Sequence, residues 1–255
     1  MLQKWPTGQT LILFIMKDKK IIFFIFLVGV IMTLTGWLFS GHRSYKFLVY
    51  GWNGKKYQER DENDICFSAQ RVKKERADID DDGETEKAFI KNSRAYIEKK
   101  GKIIWQSDAK FKAENIVLAD IDNDRKIDIL VSLWKIGKYG PDLPFWLEKN
   151  TNDWSNHFFI YKWQENKIKL FWGSSTLDAP IKEMAIQDVN SDGKNELIVL
   201  EGDYDNSNNR YADYLTIWHW NEWRLFNDFR SEKGGYFDLE IQKVENKTYI
   251  CVKNY

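Results

Sequence analysis

Three short acidic phrases carry side chains able to hold a cation: Asp78-Ile79-Asp80-Asp81-Asp82-Gly83, Asp120-Ile121-Asp122-Asn123-Asp124-Arg125 and Asp188-Val189-Asn190-Ser191-Asp192-Gly193. An acid returns at the ninth position of each, as Glu86, Asp128 and Glu196. Carboxylates at positions 1, 3, 5 and 9 of a sharp turn converge on one point, where they repel one another unless a hard divalent cation lies between them. The repeat therefore reads as a calcium-binding hairpin. Position 6 is glycine in two copies, as a turn needing positive φ prefers. Arg125 holds that place in the second copy, which predicts strain and a cation near the metal.

An EF-hand opens with the same acidic spacing but ends on a bidentate glutamate at position 12. Phe89, Val131 and Val199 occupy that position here. The flanking runs, Asn115 to Ala119 and Leu197 to Leu200, are short and rich in β-branched residues or leucine, so strand, acidic turn, strand is the local reading. A single acidic turn with no ion is an ordinary surface feature. Three copies of one pattern argue for more than that.

The elements that must position these turns repeat as well. The second phrase begins 42 residues after the first (78 to 120) and the third 68 residues after the second (120 to 188). The shorter interval fits one four-stranded unit, and the longer one a unit plus an insertion at 135–156, rich in Gly, Pro, Asn and Trp. A second motif alternates with the first: Phe47 to Lys55, Tyr96 to Trp105, Phe159 to Lys167 and Leu215 to Trp223 each read as strand, polar tight turn and strand, with aromatic residues near the turn.

Taken together the phrases resemble FG-GAP (VCBS-like) repeats, found in integrin α-subunit β-propellers and in bacterial surface proteins. The resemblance covers the chain from about Tyr45 onward, although the FG-GAP words themselves are missing. It implies an all-β propeller whose acidic loops join two strands of a blade and hold up to three structural calcium ions. The ligands it implies are Asp78, Asp80, Asp82 and Glu86; Asp120, Asp122, Asp124 and Asp128; and Asp188, Asn190, Asp192 and Glu196. Glu201 to Asp213, acidic and Asn-rich, reads as a solvated connection or as the source of one more ligand to the third site.

Counting hairpins sharpens the architecture. The chain opens with an aromatic hairpin that lacks an acidic partner and closes with Tyr236 to Val252, a degenerate acidic hairpin with Lys243, Glu245 and Lys247 where ligands would fall. That last turn is expected to bind no calcium. Pairing the first hairpin with the last completes a blade and removes open sheet edges, so a propeller domain at 45–255 of about four blades, with five as the alternative, is expected.

Ile21 to Phe39 is an apolar run without charge, long enough for a membrane span of about 20 helical residues. Lys17, Lys19 and Lys20 precede it, which places 1–20 in the cytoplasm and, after a 40–44 linker, the C-terminal domain outside. A cleaved signal peptide is the competing reading, but the run is longer than the usual ~7–15 residues and no clear small-residue cleavage site follows.

Lysine plus arginine, 38, equals aspartate plus glutamate, so no global cationic field draws nucleic acid. Cys66 and Cys251 both sit in apolar strand contexts. Ring closure would put them in adjacent blades, where export permits a disulfide; two buried thiols are the alternative. The three histidines, His42, His157 and His219, form no visible catalytic or ligand pair. Trp218, Trp220 and Trp223 read as core, whereas Tyr139, Trp146 and Trp154 fall in the insertion, where a loop presents aromatic faces to a protein or saccharide partner. A membrane-anchored, exported binding or scaffold module without catalysis is the resulting expectation, with an exported carbohydrate-active enzyme as the alternative.

Overall fold

Strand and turn signals alternate along the whole chain from Lys46 to Asn254, and the folded result is all-β. The computed structural model describes residues 45–61, 65–66, 75–140, 143–145, 147–205 and 211–255. The expected cytoplasmic segment 1–20, anchor 21–39 and linker 40–44 lie outside them. Among the described residues no helix is long and apolar enough to cross a membrane.

The strands form four antiparallel sheets of four. The first contains β3 (Arg76–Ala77), β4 (Glu86–Lys91), β5 (Arg94–Lys99) and β6 (Lys102–Gln106); the second β7 (Lys112–Ala119), β8 (Asp128–Ile136), β9 (Trp154–Gln164) and β10 (Lys167–Gly173). The third contains β11 (Ile181–Gln187), β12 (Glu196–Glu201), β13 (Tyr214–Asn221) and β14 (Arg224–Arg230). In the closing sheet β15 (Tyr236–Val244) and β16 (Lys247–Asn254) continue into β1 (Lys46–Trp52) and β2 (Tyr57–Arg60), because β16 pairs with β1 from Lys46 opposite Asn254 to Gly51 opposite Tyr249. Both ends of the domain thus share one sheet.

The arrangement is propeller-like. Residues of β4, β7, β11 and β15, one strand from each sheet, line a single cavity of about 780 Å³. Hydrophobic faces fill the spaces between sheets, and the alternation on β8 and β9 shows how. Ile129, Val131 and Phe159 pack with Ile97 of the first sheet, while Leu130, Phe158 and Ile160 pack with Leu197 and Val199 of the third. A strand with cores on both sides has no polar face, which is why β8 carries such a continuous apolar run. A third cluster joins the closing sheet, through Tyr50 and Ile250, to Ile198 and Ile217. Between these same two sheets, the Glu183 carboxylate of β11 accepts the N–H groups of Asp238 and Leu239, each at 2.9 Å, where β15 bulges.

Cys66 lies in the β2–β3 connection and is bonded to Cys251 of β16, with Cα atoms 5.8 Å apart. The bond fastens a connecting segment to the closing sheet, where two strands of adjacent blades were expected to be joined.

The expected insertion at 135–156 is shortened from both ends, since β8 runs to Ile136 and β9 starts at Trp154, with those two residues paired. The remaining connection folds onto its own sheet. Asn150 Oδ1 accepts the N–H of Lys138 at 2.8 Å, and Thr176 donates its N–H to the Lys138 carbonyl.

Candidate metal centres

Each acidic turn joins the first strand of its sheet in chain order to the next one: β3 to β4, β7 to β8, β11 to β12. Position 2 drives the turn into the core, since Ile79, Ile121 and Val189 are all buried. The ninth-position acid then reaches back. Glu86 accepts the Ile79 N–H at 2.8 Å, Asp128 that of Ile121 at 3.0 Å, and Glu196 that of Val189 at 2.9 Å. All three acids are buried.

The position-1 aspartates span the turn itself. Asp78 accepts the N–H groups of Asp82 and Gly83, Asp120 those of Asp124 and Arg125, and Asp188 those of Ser191 and Gly193. Position 5 accepts from position 7 in all three turns, at 2.8–3.0 Å. Position 6 has positive φ throughout, at 87° for Gly83, 68° for Arg125 and 86° for Gly193. Arg125 therefore sits in the left-handed region, as expected, and its side chain is exposed. Position 4 is left-handed too, as Asp81, Asn123 and Ser191, which the residue types did not announce.

In the first two turns the acids close in on one point. Asp78, Asp80 and Glu86 bring one carboxylate oxygen each within 4.8 Å of one another, as do Asp120, Asp122 and Asp128, close enough to hold a metal ion. Both points already have a cation beside them. Lys99 Nζ lies 2.6 Å from Asp80, 2.8 Å from Asp82 and 3.0 Å from Glu86. Lys162 Nζ lies 2.7 Å from Asp122, 2.7 Å from Asp124 and 3.2 Å from Asp128. Hydrogen bonds to Asp80 and Asp82 raise the Lys99 ammonium above the ordinary lysine range. Burial pulls Lys162 down, but its bonds to Asp122 and Asp124 outweigh that and hold it above the ordinary value as well. The donor sets of these two turns fit a cation, and a lysine supplies one.

The third turn differs. Asn190 at position 3 donates its amide to Glu196 at 3.1 Å and to Asp192 at 3.3 Å, and among the described residues no lysine enters. Burial, reinforced by the charges of Asp192 and Asp188 against the opposing Val189 N–H, pushes the Glu196 carboxyl up to about 7. Burial pushes the Asp128 carboxyl up to about 7 as well, with Lys162 beside it, so the third turn is set apart by geometry: among the described residues no ammonium lies against its ninth-position acid. The Glu201 to Asp213 connection, read as solvated or as the source of one more ligand, leaves β12 at the end opposite Glu196, and its Glu201 accepts from the Thr216 hydroxyl at 2.7 Å.

Sequence reasoning missed Lys99 and Lys162 and gave His219 no partner. All three lie in the aromatic hairpins, and only pairing register brings them across from a ninth-position acid. No constant spacing marks them, because both the β8–β9 and the β12–β13 connections are longer than the β4–β5 turn.

The expected partner-binding aromatics are dispersed. Trp154 begins β9 with Lys112 Nζ 4.1 Å from its ring centre, Tyr139 is half-buried in the folded connection, and Trp146 lies outside the described residues. Phe145 is the exposed side chain there, at 94%. Trp218 and Trp220 pack half-buried against the second core, but Trp223 is 62% exposed at the β13–β14 turn with φ +71°, beside Phe171 at 4.9 Å. It is not core, because the hairpin tip projects beyond the sheet.

No family model, no curated protein and no solved structure matches this chain.

Proposed function

We propose that this chain is a calcium-stabilised β-propeller of the FG-GAP type, held outside a membrane by the 21–39 segment, and that it serves as a binding or scaffold module for a protein or saccharide partner. One observation carries the reading: three acidic turns occupy the same corner of three sheets, with the same buried position 2 and the same hydrogen bond from the ninth-position acid. A cation at that corner ties the first strand of a sheet to its neighbour, a structural task.

Calcium belongs first at the third turn, through Asp188, Asn190, Asp192 and Glu196, where among the described residues no side-chain cation competes. Hard oxygen donors of this kind suit calcium, which accepts six to eight such ligands in flexible geometry. Ser155 Oγ lies 3.0 Å from His157 Nε2, whose Nδ1 lies 3.0 Å from the Ser174 carbonyl, but both side chains are buried, which favours a structural role for that contact and binding over catalysis. The exposed Trp223, which lies against half-buried Phe171, and the exposed Phe145 are aromatic surfaces a partner would use.

The test is thermal unfolding of the full-length chain in excess EDTA, in millimolar calcium and in millimolar magnesium. A calcium-specific rise in Tm that disappears in Asp188→Ala supports the reading. An unchanged Tm with no bound calcium rejects it. Thiol trapping during cell lysis tests the exported location, since a Cys66–Cys251 bond already formed at that moment reports an oxidising compartment.

A further inference from the structure

We propose that Lys99 and Lys162 are resident cations that replace a metal in the first two acidic turns, so that these turns are closed without calcium. The inference goes beyond the calcium reading, which concerns the third turn.

The same contacts recur in both turns. Lys99 donates to Asp80 and Asp82, and Lys162 to Asp122 and Asp124, the acids of positions 3 and 5. The ninth-position acid lies within ion-pair distance, Glu86 at 3.0 Å from Lys99 and Asp128 at 3.2 Å from Lys162. Two independently placed lysines thus reach the same three positions. Backbone pairing delivers them there. Ile129 pairs with Tyr161, which sets Lys162 opposite Asp128, and Lys87 pairs with Glu98, which sets Lys99 opposite Glu86.

Each lysine is also held from behind. The Lys162 side chain is 8% exposed, and its ammonium lies 4.5 Å from the centre of the Phe171 ring. Lys99 is 17% exposed. A tethered cation competes at a fixed, high effective concentration, so a divalent ion must first expel an ammonium that lies against three carboxylates. The third turn is the internal contrast. There Glu196 pairs with His219 in the register, and His219 turns to Asp228, leaving only the Asn190 amide among the acids.

Lys99→Met and Lys162→Met, in the full-length chain, test the proposal by Tm in EDTA and in calcium and by counting bound metal. Each variant is expected to melt several degrees below wild type in EDTA, to regain that loss in millimolar calcium, and to bind one more calcium ion than wild type. Calcium affinity at the altered turn should rise at least 100-fold. Asp188→Ala combined with Lys162→Met separates this from the preceding reading: it should lose the third-turn ion and keep the new one. A Lys162→Met that melts like wild type in EDTA and gains no ion overturns the proposal. Should both variants fail to fold, wild type alone decides: calcium bound at the second turn and lost in Asp122→Asn overturns it, and none bound there upholds it.

Discussion

His219 stands opposite Glu196 in the β12–β13 register, the place Lys162 holds against Asp128, yet its Nδ1 lies 2.8 Å from Asp228 and outside the acidic turn. Its ring stacks on Phe226, which keeps it on the hairpin side. Two differences, a histidine at this register position and Asn190 in place of an aspartate at position 3, therefore separate the turns that carry their own cation from the third turn.

His219→Lys should convert the third turn into the kind formed by the first two. The new ammonium would reach Asp192 and Glu196, so the variant should melt higher than wild type in EDTA and lose its response to calcium. Differential scanning calorimetry with and without calcium checks both outcomes. A calcium-dependent Tm rise equal to that of wild type would show that the register position does not control the ion.

The disulfide should matter more than its position near a connecting segment suggests. It closes 185 residues of chain, and restricting so long a loop in the unfolded state is worth about 2–5 kcal/mol. The double variant Cys66→Ser, Cys251→Ser should therefore unfold at clearly lower denaturant, with a larger m-value because the freed unfolded chain exposes more surface. Matching midpoints for wild type and variant would count against the bond.

Much of this architecture was legible because its signals are local. Turn residues at the aromatic hairpins, apolar runs beside the acidic phrases and the orphan first hairpin together predicted the closing sheet, and β16 does pair with β1. What escaped were relationships that only pairing creates. Lys99 and Lys162 look like surface charges beside a turn, and nothing near them in the chain points to Glu86 or Asp128. Trp223 failed for the opposite reason: alternation assigned it to a buried face, but the chain turns at Glu222 and Trp223, both with positive φ, and strand parity ends there.

Arg125 offers a test of backbone strain within the repeat. Its φ of 68° falls where Gly83 and Gly193 sit at 87° and 86°, and a side chain there costs about 1–2 kcal/mol, partly offset by the lower unfolded-state entropy of a non-glycine residue. Arg125→Gly should stabilise by about 0.5–1 kcal/mol. Gly193→Ala should destabilise by a similar amount, since no atom lies within 4 Å of the added Cβ and only the backbone conformation resists it. Urea titrations of both variants would read the two signs, and a destabilised Arg125→Gly would mean that the arginine side chain contributes more than its backbone strain.

Glu196 gives the third turn a pH dependence with a definite sign. Its carboxyl is pushed from 4.5 in the unfolded chain to about 7 in the metal-free fold, chiefly by burial. A raised acid contributes stability while it stays protonated, so the contribution is full below about 4.5 and disappears as pH rises through about 7. The change across that window is on the order of 3 kcal/mol. In EDTA, wild type should therefore lose Tm relative to Glu196→Gln between pH 5 and pH 8, because glutamine stays neutral throughout. Calcium should reverse the slope for wild type alone, since the ion needs the ionised carboxylate that the metal-free fold resists. Parallel Tm curves for the two proteins in EDTA would mean that the Glu196 charge is already compensated without metal, and the case for an ion at Asp188, Asn190 and Asp192 would weaken with it.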